Sequence, residues 1–195
     1  MSYTVRLRVT SVVLGLVVAG ALNAQRAPSP RPAERTSTHA TTGANPSGEL
    51  RQRQALGVLA AINQAEVNAG QLALARGQNA ATRQYAQTMI QEHTQNQRAL
   101  EAWQPDKRSA PAQAKAAEAQ AEAATLARQQ GAAFDAAYLS AMVTDHRKAL
   151  DTLDTVIIPA ATQADLRTFL KETRTHVADH LARAERLAGN ATAAD

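Results

Sequence analysis

Residues 138–150, YLSAMVTDHRKAL, decide the reading of this chain. Leu139, Met142, His146, Leu150, Leu153 and Ile157 recur at three- and four-residue steps, which places them on one face of a helix. One ionisable side chain, His146, stands in the middle of that apolar stripe. Other long segments repeat the arrangement, each carrying its own polar residue in phase. The pattern predicts an all-α protein, a four-helix bundle with a polar layer inside its core.

Working outward, a helix is expected over about 49–76, with Ala55, Leu59, Ile62, Glu66, Ala69 and Ala73 in phase. Gly77-Gln78-Asn79 breaks it, and Asn79 is suited to cap the next helix. The second helix is expected over about 80–103, with Ala86, Met89, His93, Asn96, Leu100 and Trp103 in phase and Pro105 as its stop. The third is expected over about 132–158, ended by Pro159. The fourth, about 163–188, carries Leu166, Leu170, Thr173, Val177, His180, Ala184 and Leu187 and is closed by Gly189, leaving 190–195 as a frayed tail.

Between helices 2 and 3, residues 112–130 read AQAKAAEAQAEAATLARQQ. Helix propensity is high there, but Leu126 is its one large apolar residue. The stretch predicts a solvated helix ended by Gly131. As a helix it spans roughly 28 Å, close to a bundle's own length. A crossover of that reach makes helices 2 and 3 parallel. A floppy excursion would instead leave them antiparallel.

The N-terminal region reads differently. Residues 1–24 have Arg6 and Arg8, an apolar run from Val9 to Leu22, and small residues before a cleavage point near Ala21 or Ala24. This is the pattern of a secretory signal, and it implies a periplasmic or secreted protein. The run is short for a membrane span, so no stable span is expected after cleavage. Residues 25–47, with Pro28, Pro30, Pro32 and Pro46 and many Ser and Thr, are expected to be a disordered linker. The bundle then occupies 48–189.

The net charge of +4 resides in the N-terminal region: setting aside Arg6, Arg8, Arg26, Arg31, Arg35 and Glu34 leaves 16 basic and 16 acidic residues. No basic stripe is present, so nucleic acid is not an expected partner. With no cysteine, disulfides, thiol catalysis and Cys-type zinc sites are excluded. No Gly-rich phosphate loop or Ser-centred nucleophile turn points to catalysis.

Chemistry centres on the polar layer. Tyr85-x3-Met89-x2-Glu92-His93 on helix 2 matches Tyr138-x3-Met142-x2-Asp145-His146 on helix 3, and helix 4 carries Asp179-His180. Tyr, Met and His share a face, whereas each acid points about 100° away toward a flank. Counted from the turns near Gln78 and Ala160, Glu66, His93, His146 and His176 all fall near mid-helix, with His180 one turn on. Two readings compete. Glu66, His93, His146, His176 and His180 converge as ligands of a transition metal (copper, zinc or iron), which bundle cores host. Otherwise they form a buried hydrogen-bond network that fixes helix register, with Tyr85, Met89, Glu92, Tyr138, Met142, Asp145 and Asp179 around it. A third reading makes the exposed Ala/Gln-rich connection a surface for a protein partner.

An ordered set of elements carries a family resemblance. It comprises Ala65-Glu66-x3-Gly70-x-Leu72-Ala73, the two Tyr–Met–acid–His elements, Phe134-Asp135 and His176-x3-His180-Leu181. This set, spanning about 50–187, resembles the exported bacterial family called domain of unknown function 4142. The resemblance implies a ferritin-like bundle in the cell envelope with no assigned chemistry, and the expected protein is an exported, non-catalytic bundle with a binding or stress-related role. Di-iron bundles place Glu-x-x-His on two helices and a further Glu on each of the others. Here only Glu66 is an in-stripe Glu, and the acid–His pairs are adjacent in sequence. Met142-x-x-Asp145-His146 also looks like the Met-x-x-His-His element of another exported ferritin-like family associated with copper, with Asp145 in place of its first His.

Overall fold

The computed structural model describes residues 45–192, whose regular structure is entirely helical. The expected signal, and the expected linker up to residue 44, lie outside the described residues. Five long helices follow one another: α1 Pro46–Arg76, α2 Ala80–Leu100, α3 Ala110–Leu126, α4 Gly131–Thr152 and α5 Ala164–Thr192. None of the helices among the described residues is long and apolar enough to cross a membrane.

Helix α1 begins at Pro46, inside the stretch expected to be linker. Local chemistry explains the earlier start. Asn45 accepts a hydrogen bond from Gly48 N at 3.2 Å, and Pro46 occupies the first turn, where its missing N–H costs nothing. Asn79 caps α2 as its sequence suggested, accepting from Ala81 N and Thr82 N at 2.8 and 3.2 Å. At its far end α2 tightens into a 3-10 turn, Glu101–Trp103, and Gln104 turns left-handed at φ 52° ahead of Pro105.

Helix α3 lies along α1 and is solvated, burying only Ala112 and Leu126. Asp106 N donates to Arg53 O at 2.8 Å near one end, and Arg76 Nη1 donates to Ala127 O at 2.7 Å near the other. It therefore runs parallel to α1. The approach is close: a Cβ on Gly57 would stand 2.1 Å from the Asp106 carbonyl oxygen. Gly131 does not end this helix as expected. The Arg76 bond helps to satisfy the chain leaving α3 at Ala127, and Gly131, at φ 58°, opens α4 instead.

Side-chain clamps fix the direction of α4. Asp135, in its first turns, accepts from Gln78 N and Asn79 N at 3.1 and 2.9 Å. Past its other end, Thr162 donates through N and Oγ1 to Gln52 Oε1 at 2.8 and 2.7 Å. α4 thus runs against α1 and parallel to α2, and α5 returns against α4. Pro159 does not stop the helical path at Ile158. A π turn, Leu153–Ile157, intervenes, in which Ile158 N reaches back five residues to Leu153 O. In an α-helix the Pro159 ring would meet the carbonyl four residues back; here the wider π turn precedes it, and helical turns continue to Ala160. Nor does Gly189 close α5. Its φ is not positive, and the helix continues to Thr192.

The expected stripes face inward, but the apolar core is divided. One compartment holds Leu56, Leu59, Leu153, Ile157, Leu166 and Leu170. The other holds Tyr85, Met89, Phe134, Tyr138, Leu139 and Met142. Each large side chain so buried contributes roughly 1.5–3 kcal/mol. Asn63, Glu66, His93, His146, Thr173 and His180 are all buried but belong to neither compartment. They form the polar layer.

Candidate metal centre

Three helices deliver the histidines: α2 brings His93, α4 His146 and α5 His180, each at most 6% exposed. Ring centroids stand 5.9 Å apart for His93–His146, 5.2 Å for His93–His180 and 5.4 Å for His146–His180. One nitrogen from each ring lies within 4.8 Å of the other two.

The outer nitrogens fix the tautomers. His146 Nδ1 lies 2.8 Å from the Met142 backbone carbonyl, which can only accept, so Nδ1 carries the proton. His180 Nε2 faces the Glu92 carboxylate at 2.7 Å and donates to it. For His93 the argument runs through a relay. Thr173 Oγ1 donates to Phe169 O at 3.0 Å and accepts from Asn96 Nδ2 at 2.7 Å. Asn96 Oδ1 accepts from Asn63 Nδ2 at 2.8 Å. Asn63 therefore presents its oxygen to His93 Nδ1, 3.0 Å away, and that nitrogen is the donor.

Each ring then has one bare lone pair, on His93 Nε2, His146 Nε2 and His180 Nδ1. All three atoms are buried without a partner. Holding the outer N–H on a carbonyl, amide or carboxylate while the other nitrogen stays free is how metal-binding imidazoles are oriented. Electrostatics agree, because the rings are kept neutral. Burial pushes His146 down to about 4. Burial, then the neighbouring rings of His146 and His180, holds His93 well below its ordinary 6.5. Burial lowers His180 against the opposing pull of Glu92.

The other expected residues distribute around this core. Glu66 is buried, with Oε1 3.7 Å from His146 Nδ1, on that ring's outer side and outside the three-nitrogen set. Burial, then Asp145, raises its carboxyl to about 8. His176 and Asp179 are exposed and line a groove of about 710 Å³ between α2 and α5, whose lining also includes Glu92, His180 and Arg183. Tyr85 donates to the His180 backbone carbonyl at 3.3 Å and packs edge-on to Tyr138, centroids 6.2 Å apart. Met89 and Met142 are packed in the core, and the backbone of Met142 holds His146. Asp145 turns away from the trio toward α3.

Asn63 was not singled out from sequence, although it sits four residues after Leu59 and three before Glu66 on the same face.

The fold and the site define an all-helical protein with a three-histidine cluster in its core. The chain belongs to the family described as Domain of unknown function (DUF4142), whose family model matches residues 36–187. No match was found among curated proteins or among solved structures.

Proposed function

We propose that this protein is an exported, ferritin-like helical bundle that binds a single transition-metal ion through His93, His146 and His180. The observation that carries this reading is the set of three buried, unpartnered ring nitrogens on three histidines that approach one another within 4.8 Å through one nitrogen each. A single water has two protons and serves two of the three, whereas a cation serves all three. Three neutral imidazoles suit zinc or copper, and a bound ion would supply Lewis acidity or redox capacity there. Of the three histidines, His180 is the one that lines the groove between α2 and α5. The carboxylate set of a di-iron centre is not part of the cluster, so one ion is the expected load.

The competing reading, a network that only fixes helix register, draws support from the Asn63–Asn96–Thr173 relay. It accounts for the outer ring nitrogens and leaves the inner ones bare. Elemental analysis of the natively recovered protein decides between them, together with thermal unfolding of the metal-stripped chain with and without Zn, Cu and Fe. Near-stoichiometric metal and a rise in melting temperature that is absent in His146→Ala support the site. No metal and no shift leave the histidines as core architecture.

A further inference from the structure

Three side-chain hydrogen bonds stitch the seam between α2 and α5. On α2, Thr88, Glu92 and Asn96 follow one another at four-residue steps, so they stand in one row. Across the seam Arg183 Nη1 donates to Thr88 Oγ1 at 3.1 Å, His180 Nε2 to Glu92 Oε2 at 2.7 Å, and Asn96 Nδ2 to Thr173 Oγ1 at 2.7 Å. All six side chains line the groove of about 710 Å³ between these helices. Of the three stitches, the middle one holds a member of the histidine trio.

That member is held differently from its two neighbours. The outer nitrogens of His93 and His146 rest on the Asn63 amide and the Met142 carbonyl, both in buried residues. The outer nitrogen of His180 rests on a carboxylate whose side chain is 41% exposed. A hydrogen bond at the edge of solvent is exchanged for one to water with little loss, whereas a buried one has no such substitute. The His180 backbone is tied down separately, because Tyr85 donates to its carbonyl at 3.3 Å.

We propose that His180 is the swinging ligand of the trio: its ring leaves Glu92, turns into the groove to meet an incoming ion and carries it inward to His93 and His146. That role rests on the trio being a metal site, and it adds the port of entry. Glu92 is the latch, a positioning residue that sets how often the ring turns out. His93 and His146 are the fixed half of the site. A helical side chain moves between staggered χ1 wells without shifting its backbone. The stitches at Thr88 and Asn96 keep the helices together meanwhile, so loading does not require the bundle to open.

Labelling of the metal-free full chain with diethylpyrocarbonate, which carbethoxylates accessible neutral imidazoles, reads the swing without any metal. Fragment mass spectrometry assigns each label. His180 is expected to react faster than His93 and His146. In Glu92→Ala its rate should rise about tenfold, the scale of one hydrogen bond to a charged acceptor at a part-exposed position. Glu92→Gln keeps an acceptor and should fall between, and both variants should keep wild-type helicity by circular dichroism. Stopped-flow zinc uptake, and zinc removal by excess chelator, should both quicken in the same order. A Glu92 that only orients the ring would quicken removal alone. Equal protection of the three rings in the wild type, or zinc uptake no faster in either variant, overturns the proposal. Selective labelling of His180 in a chain that takes up no metal would bear out the swing and defeat the metal reading instead.

Discussion

The Nδ1–H of His93 donates to Asn63 Oδ1 across 3.0 Å, and that bond decides which nitrogen of His93 is left for a metal. Asn63 cannot turn its amide around, because its Nδ2 is already spent on Asn96. Replacing it with leucine keeps the volume and removes the acceptor. Asn63→Leu is expected to weaken zinc or copper binding by about 10–100-fold. A bare N–H in the core adds about 1–3 kcal/mol of destabilisation. Calorimetric metal titration beside urea denaturation reads both effects, and unchanged affinity would remove the relay from the site.

The metal-free protein should lose stability on both sides of a mid-pH range. Its folded state keeps His146 neutral down to about 4, whereas the unfolded chain takes up a proton below about 6.5. Unfolding then binds protons, so stability falls as pH drops from 6.5 toward 4, by about 3 kcal/mol from this residue alone. His93 and His180, also lowered, act in the same direction. Glu66 acts in the opposite one. Its folded value of about 8 lies above the ordinary 4.5, so its contribution is complete below 4.5 and is lost as pH rises toward 8. Denaturation midpoints from pH 4 to 9 should show both slopes, and Glu66→Gln should flatten the alkaline one and steepen the acid one between 4.5 and 6.5, where the two contributions oppose each other. An alkaline slope equal in the variant and the wild type would disprove this assignment.

Gly57 is required by the close passage of the 104–109 connection. A methyl group there meets the Asp106 carbonyl oxygen at 2.1 Å and its carbon at 2.7 Å, both backbone atoms. Gly57→Ala is expected to cost about 1–3 kcal/mol through forced displacement. Gly189→Ala is the control: among the described residues nothing lies within 4 Å of its Cβ position, and helix propensity favours the change by about 0.5–1 kcal/mol. Paired thermal melts should move in opposite directions.

Asp135 joins the start of α4 to the turn between α1 and α2 by accepting from Gln78 N and Asn79 N. Asp135→Ala leaves both backbone donors without this partner in a partly buried turn. Hydrogen bonds to a charged acceptor are worth about 1.5–3 kcal/mol each, and water recovers some of that at this site. A loss of about 2 kcal/mol is expected in urea denaturation. Faster amide hydrogen exchange at Gln78 and Asn79 would place the loss in this clamp.

The helices and their inward faces were legible because Leu, Met and His recur at 3.6-residue spacing, and the polar layer because His93, His146 and His180 interrupt that spacing at similar heights. The parallel run of helices 2 and 3 was legible only in the length of the 112–130 connection, since mid-helix heights agree under either connectivity; Asp135 and Gln52 fix it through contacts more than fifty residues away. Nor did adjacency identify partners. Glu92 precedes His93 in the chain, yet it bonds His180 on another helix, because consecutive residues diverge by about 100°. Pro159 and Gly189 marked stops that the chain passes, the first by a π turn and the second by ordinary helical geometry.

The two Tyr–Met–His stripes lie on helices that run the same way, and they meet at both levels: Tyr85 against Tyr138 at 6.2 Å and His93 against His146 at 5.9 Å. The eight-residue interval on α2 is therefore measured against an equal interval on α4. One residue added inside either interval would throw tyrosine or histidine out of step, while the same residue added to the solvated middle of α3 would disturb neither rung. The interval thus acts as a fixed unit of length shared by the two helices.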